Sequence, residues 1–496
     1  MLRAISRRFF LSMLAGSTAM SAFAAPPTAS LRPRARGGDH FKKAVADPQA
    51  IIAQARLGGR VCYAVADART GAQLEGGNAK VGVPPASVAK AVTALYALSV
   101  LGATHRFNTH LVATGGVSGG VVQGDLVLVG GGDPTLDTNA LAALAAALKS
   151  RGIREVRGAF KVADGMFPTV PTIDKEQPDH VGYSPALSGI ALNFNRVHFE
   201  WKRQGANYAV TMDARSDRYR PDVAVARMQV SERRAPVYTY SDGGRTDNWT
   251  VARGALGNGG ARWLPVRKPA LYAGDVFQTL ARAQGIVLKA PKVVSRAPQG
   301  TTLATHQSAD LRTILRDMLR FSTNVTAEMV GMAATVKRSG RPASLRASAT
   351  EMNRWAKAAL GTPNMRLVDH SGLGGASKMT ADDMVTALVR ARQANLLRPI
   401  LKPIPMLDAN RRAIKNHPIE VHAKTGTLNF VSGLAGYMTA RDGTEMAFAI
   451  FAADEATRSK IDRANRERPQ GARSWNRRAK AMQQHLIERW GALYGS

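Results

Sequence analysis

The stretch PPASVAKAVTALYAL, residues 84–98, anchors both the fold and the chemistry of this chain. It contains Ser87 and Lys90, the only Ser-x-x-Lys in the sequence, at the start of what reads as a helix. Positions i and i+3 share a helix face, so the lysine amine reaches the serine hydroxyl by local geometry alone. Just upstream, RVCYAVADARTGAQLEGG (60–77) alternates as two strands joined by a turn. A serine is a weak nucleophile until a base takes its proton. A lysine can be that base only if burial or neighbouring cations lower its pKa, so further groups are required.

Two later motifs supply them. Ser322-Thr323-Asn324 opens the apolar-periodic run NVTAEMVGMAATV, and Lys424-Thr425-Gly426 sits in EVHAKTGTLNFV, which alternates as a strand. Near the end, LAGYMTARDGTEMAFAIFA repeats the hairpin pattern around an Arg-Asp-Gly turn, and AKAMQQHLIERWGALYG reads as a helix. The strands from the two chain ends imply one antiparallel five-stranded sheet with helices packed on it, an α+β fold. Each motif alone is weak: Ser-x-Asn recurs at Ser474-Trp475-Asn476, to which no role is given. The ordered set carries the signal.

Ser322 lies 235 residues after Ser87, whereas Lys424 lies only 102 after Ser322. The intervening segment is rich in glycine and short β-like runs, and reads as a large mostly-β insertion. The expected organisation is therefore a catalytic domain from residues 41–105 and 266–496, interrupted by an insertion at 106–265. Every candidate group lies outside that insertion, which is expected to act on substrate positioning rather than on bond chemistry.

Composition bounds the rest. Residues 1–24 carry Arg3, Arg7 and Arg8, an apolar stretch and the cleavable Ala22-Phe23-Ala24, an export signal whose run Ser6 to Leu11 is twin-arginine-like. Residues 25–40 read as a flexible leader, and the mature chain is expected in the periplasm. The lone Cys62 excludes an internal disulfide and reads as a buried hydrophobe. The formal charge of +32 would suit nucleic acid, but an exported protein meets anionic envelope surfaces instead, with which loose association is expected. No histidine or cysteine spacing implies a metal, and Gly130 to Pro134 reads as a turn rather than a phosphate loop. His422 shares the strand face of Lys424 and reads chiefly as packing.

Together GDLVLVGGGDPTL, LRDMLRFSTNVTAEM, VDHSGL and AKTGTLNFVSGLAGY resemble the D-alanyl-D-alanine carboxypeptidase/endopeptidase family of class C low-molecular-mass penicillin-binding proteins. The resemblance implies a penicillin-binding-protein-like catalytic domain, no cofactor, and peptidoglycan stem peptides and β-lactams as partners. It implies Ser87 as nucleophile, Lys90 as base, and Ser322, Asn324 and Lys424 as the surrounding catalytic groups. Thr425, Gly426 and Thr427 would bind substrate, the N–H groups of Ser87 and Thr427 forming the oxyanion hole. One departure stands out, Asp369-His370-Ser371-Gly372-Leu373-Gly374 where family members carry Asp-Gly-Ser-Gly-Leu-Ser. The competing readings are a β-lactamase, disfavoured by the insertion, and a catalytically idle envelope-binding protein of the same fold.

Overall fold

The computed structural model describes residues 45–495, and the export signal and leader expected in residues 1–40 lie outside them. The chain ends build one sheet. Its order is Lys402–Pro403, Glu420–Leu428, Val431–Thr439, Glu445–Ala453, Arg60–Asp67 and Gln73–Gly77, all neighbours antiparallel. The five expected strands are joined by a sixth of two residues at the edge.

Strand alternation sorts the side chains into two cores. Cys62, Ala64 and Ala66 face a helical layer that includes Ala89–Leu101, Leu311–Phe321, Asn324–Ser339, Leu345–Leu360 and Ala381–Gln393. Tyr63, Val65, Phe448 and Ile450 face the C-terminal helix Ala472–Tyr494. Cys62 is fully buried and its thiol is pushed up to about 11 by that burial, which makes it inert.

The helix Ala89–Leu101 is apolar on nearly every side, with residues 89–98 all buried. Such a helix belongs inside a protein, and its alanines let the helix Asn324–Ser339 approach closely. This placement carries Lys90 into the interior as a matter of helix geometry.

The insertion is larger than the sequence suggests. Its five-stranded sheet runs Lys292–Val294, Phe160–Ala163, Leu126–Val129, Asn108–Ala113 and Thr301–Gln307, so strands beyond residue 265 complete it. The helix Pro269–Ala283, expected in the catalytic domain, packs in the insertion core with Thr138–Ser150, and the Phe160 and Phe277 rings lie 5.5 Å apart. Helical periodicity reports an apolar face but not which core receives it. The boundary falls near residue 308 rather than 265. There Phe107 and Ser308 exchange bonds, each backbone N–H being accepted by the other residue at 2.9 Å, and the Arg106 guanidinium donates to the Ser308 carbonyl at 2.8 Å.

The C-terminal helix is fixed to the N-terminal hairpin through Trp490, fully buried with its ring 6.2 Å from Tyr63 and 6.0 Å from Phe448. Its indole N–H donates to the Glu75 carboxylate at 3.1 Å, which also accepts from Arg489 at 2.9 Å. Trp490→Ala is expected to lower unfolding stability by about 3–5 kcal/mol, the range for emptying an aromatic site in a core. Urea denaturation of the two proteins measures it, and a loss below about 1 kcal/mol would mean the helix is not held by this residue.

Candidate active site

Ser87 lies in a single 3-10 turn, Ala86–Val88, that runs directly into the helix bearing Lys90. Ala86 has a φ of 48°, the left-handed region that costs a residue with a side chain about 1–2 kcal/mol. Glycines surround this turn. A Cβ on Gly372 would fall 1.9 Å from the Ala86 carbonyl oxygen, and one on Gly426 would fall 2.6 Å from the Pro85 oxygen and 3.1 Å from the Ser87 nitrogen. Lys-Thr-Gly therefore ends in glycine because the strand backbone presses against the turn that bears Ser87. Strain of this kind persists only where packing imposes it.

Lys90 is wholly buried and its amine has three neighbours: Ser87 Oγ at 3.0 Å, Asn324 Oδ1 at 2.8 Å and the Ser371 carbonyl at 2.9 Å. The two carbonyl oxygens can only accept. A neutral amine has two N–H groups and one lone pair, so donating to both carbonyls leaves the lone pair for the Ser87 hydroxyl proton. Burial lowers the lysine's pKa to about 8, against the opposing pull of Glu328 and Asp369.

Ser322 ends the helix Leu311–Phe321 in a left-handed conformation, φ 60°, and Asn324 starts the next helix. Lys424 Nζ donates to Ser322 Oγ at 3.0 Å and to the Thr425 carbonyl at 2.7 Å. Burial, with Lys90 and Lys402 as neighbouring cations, lowers its pKa to about 6. The structure thus brings Ser87, Lys90, Ser322, Asn324 and Lys424 together from three distant segments. Thr427 lines the same cavity as Ser87, of about 570 Å³, and the Thr425 hydroxyl has no hydrogen-bond partner among the described residues. His422 is half-buried, its charged neighbours being Arg398, Glu420 and Glu445 rather than the reactive groups. Asn476 of the second Ser-x-Asn lines the cavity, but its Nδ2 donates to the Leu428 carbonyl at 3.0 Å, which turns it away from Lys90.

Behind these groups lies a buried polar layer that joins Glu328, to which the sequence reading gave no role, to the VDHSGL segment. Glu328 is wholly buried and its carboxylate accepts from the N–H groups of His370 at 2.8 Å and Ser371 at 3.0 Å. Asp369 accepts from Gly372 at 2.7 Å and Gly374 at 2.6 Å. These bonds fix the peptide whose Ser371 carbonyl holds Lys90. Burial pushes the pKa of both carboxyls up. His370, the departure from the family pattern, fits because residue 331 is glycine: a Cβ there would fall 2.2 Å from the imidazole. Its ring bonds Ser348 at 2.8 Å, and burial drives its pKa to about 3, so it is neutral.

The insertion also reaches the reactive groups. The Tyr183 carbonyl accepts from Asn324 Nδ2 at 2.9 Å, and Gln177 and Tyr183 line the cavity. The expectation that the insertion stands apart from bond chemistry is corrected here, since it orients the amide that holds Lys90. Loop residues without periodicity gave no sign of this in the sequence.

The sequence profile of the D-Ala-D-Ala carboxypeptidase 3 (S13) family matches residues 44–470. A D-alanyl-D-alanine carboxypeptidase of an Actinomadura species is 29% identical over 432 residues, covering 82% of this chain and 80% of its own. The carboxypeptidase DacB of Haemophilus influenzae is 26% identical, covering 74% and 79%. Among solved structures, penicillin-binding protein 4 of H. influenzae superposes with a TM-score of 0.70 at 21% identity, over 82% of this chain and 93% of that one. The same protein complexed with a β-lactam gives a TM-score of 0.68 at 22% identity.

Glu328→Gln keeps the side-chain shape beside Ser371, leaves one of the His370 and Ser371 N–H groups without its carboxylate acceptor, and removes the negative charge that Glu328 carries when ionised and that favours protonated Lys90. The acid limb of the acylation-rate profile is therefore expected to move to lower pH by about one unit. Stopped-flow acylation by a reporter β-lactam across pH reads it, and an unmoved limb would show that Glu328 does not act on Lys90.

Proposed function

Because this chain belongs to the D-Ala-D-Ala carboxypeptidase 3 (S13) family, we propose that Ser87 carries out its reaction, hydrolysis of the terminal D-Ala-D-Ala bond of peptidoglycan stem peptides. The enzyme is a serine-type D-alanyl-D-alanine carboxypeptidase. The same chemistry opens a D,D-cross-link, whose amide differs only in the leaving amine, so endopeptidase activity belongs to the proposal.

Lys90 takes the Ser87 proton as Oγ attacks the penultimate D-Ala carbonyl. The oxyanion forms between the N–H groups of Ser87 and Thr427, at the positive end of the nucleophile helix. As the C–N bond breaks, Ser322, hydrogen-bonded to Lys424, relays the proton taken by Lys90 to the leaving amine, and Lys424 with the Thr425 hydroxyl, unpartnered among the described residues, receives the terminal carboxylate. Water then hydrolyses the acyl-enzyme and Ser87 recovers its proton. Penicillin enters the same path and stops at the acyl stage.

The observation that carries this reading is the set of three contacts around Lys90, which leaves its lone pair for Ser87. Ser87→Ala should abolish both the penicilloyl adduct, followed by mass spectrometry, and D-Ala release. Lys90→Arg should slow acylation at least about a hundredfold, since a guanidinium keeps its proton near neutrality and general-base catalysis contributes on that order. An adduct on the alanine variant would place the nucleophile elsewhere. In the wild type, rapid loss of the adduct would indicate a β-lactamase, and no adduct an idle binding protein.

The periplasm is the proposed location, supported by the basic, apolar and Ala-x-Ala sequence of residues 1–24. Replacing Arg7 and Arg8 by lysine should block export through a twin-arginine route while keeping the positive charge a general-secretory signal needs. Cell fractionation reads the outcome, and undiminished periplasmic yield would assign the general-secretory route.

A further inference from the structure

The polar layer behind Lys90 continues into a chain of buried side chains, none of which lines the cavity that opens on Ser87. The Tyr96 hydroxyl lies 3.2 Å from Thr335 Oγ1, which lies 2.8 Å from Ser348 Oγ, which in turn lies 2.8 Å from His370 Nε2. On the other side of the imidazole, Nδ1 lies 3.3 Å from the sulfur of Met352. These residues come from the helices Ala89–Leu101, Asn324–Ser339 and Leu345–Leu360 and from the loop that carries Ser371.

Counting protons gives the chain one direction. A thioether sulfur has lone pairs and no proton, so its contact with the imidazole requires an N–H on Nδ1. Burial keeps the ring neutral, which leaves Nε2 as an acceptor and the Ser348 hydroxyl as its donor. The Ser348 proton is then committed, so across 2.8 Å the Thr335 hydroxyl donates to Ser348, and Tyr96 donates to Thr335. Ser348 and Met352 stand at i and i+4 on one helix and hold the two ring nitrogens between them.

The backbone of the same residue is held as firmly. The His370 N–H donates to the Glu328 carboxylate at 2.8 Å, and its carbonyl accepts at 2.6 Å from the hydroxyl of Thr93, one helical turn past Lys90. The next carbonyl, that of Ser371, takes an N–H of the Lys90 amine at 2.9 Å. We propose that His370 is a positioning residue for Lys90: its imidazole, gripped by Ser348 and Met352, sets the backbone of residues 370 and 371 so that the Ser371 carbonyl turns the amine's lone pair toward Ser87. The proposal rests on the carboxypeptidase reading above. A glycine at this position, as in the family pattern, would offer no such grip and would leave the backbone freer. The departure at His370 is thus part of how this chain holds its base.

Two substitutions that keep a side chain of comparable bulk separate bonding from packing. His370→Gln retains an acceptor for the Ser348 hydroxyl, and His370→Leu retains apolar bulk without one. The leucine variant should be acylated by a reporter β-lactam about tenfold more slowly, roughly the worth of one net hydrogen bond. On a peptide ending in D-Ala-D-Ala its kcat should fall by the same factor with KM unchanged. The glutamine variant should stay within about threefold of the wild type. Ser348→Ala removes the same bond from the other side and should reproduce the leucine result even where His370→Leu does not fold, with thermal melting as the check on each variant. Nitrogen NMR of histidine-labelled protein, with His370→Gln identifying the signal, should place the proton on Nδ1. Equal rates in the leucine and glutamine variants, a leucine loss carried by KM, wild-type acylation in Ser348→Ala, or a proton on Nε2 would each overturn the proposal. Penicillin labelling of the wild type keeps the two readings apart. An adduct on Ser87 together with any of those results sinks the positioning role alone, and no adduct sinks the function reading with it.

Discussion

The structure turns on the burial of one amine. An ammonium group taken from water into a protein interior loses several kcal/mol of solvation unless it is paired or gives up its proton. Lys90 is placed there by an alanine-rich helix with no solvent-facing side over its first ten residues. The surroundings offer it two fixed carbonyl acceptors rather than a direct carboxylate partner. The charged form is neither well solvated nor directly paired, and the neutral form is well hydrogen-bonded. Basicity is thus tuned by packing, and the strained turn at Ala86 holds the hydroxyl where that basicity is spent.

Much of the candidate site was legible because its residues are tied to short local patterns. Ser87 and Lys90 are joined by one helical turn, Lys424 and Gly426 by strand alternation, and Ser322 and Asn324 by a helix-to-helix junction. Five strands of the central sheet were readable from the alternation of their apolar residues. The buried layer was not. Glu328 sits in an apolar helical run and looks from sequence like a solvated charge, and only the backbone N–H groups of His370 and Ser371, some forty residues on, explain its burial. The pairing of His370 with Gly331 is likewise a matter of shape between distant segments.

The insertion boundary failed for a related reason. The helix Pro269–Ala283 has a well-formed apolar face, and such a face is equally at home in either core. Its assignment depends on strands that return after it, Lys292–Val294 and Thr301–Gln307, the first pairing in parallel with Phe160–Ala163. The first is only three residues long, and the partners of both lie far back in the chain. The Tyr183 contact belongs to the same class, because a carbonyl in an irregular loop leaves no compositional trace.

The central sheet places Arg60–Asp67 beside Glu445–Ala453, with Val65 opposite Phe448. During synthesis, at roughly 5–20 residues per second, the early strand waits on the order of half a minute for its partner to emerge. The insertion faces no such delay, since both of its ends meet at Phe107 and Ser308 and its strands pair within it. The middle of the chain can therefore be structured while the apolar hairpin at 60–77 is still unpaired and prone to wrong association. A ribosome-released chain completes its central sheet last, and the turn that bears Ser87, which depends on the glycine-lined approach of residues 426 and 433, takes shape only at that final step.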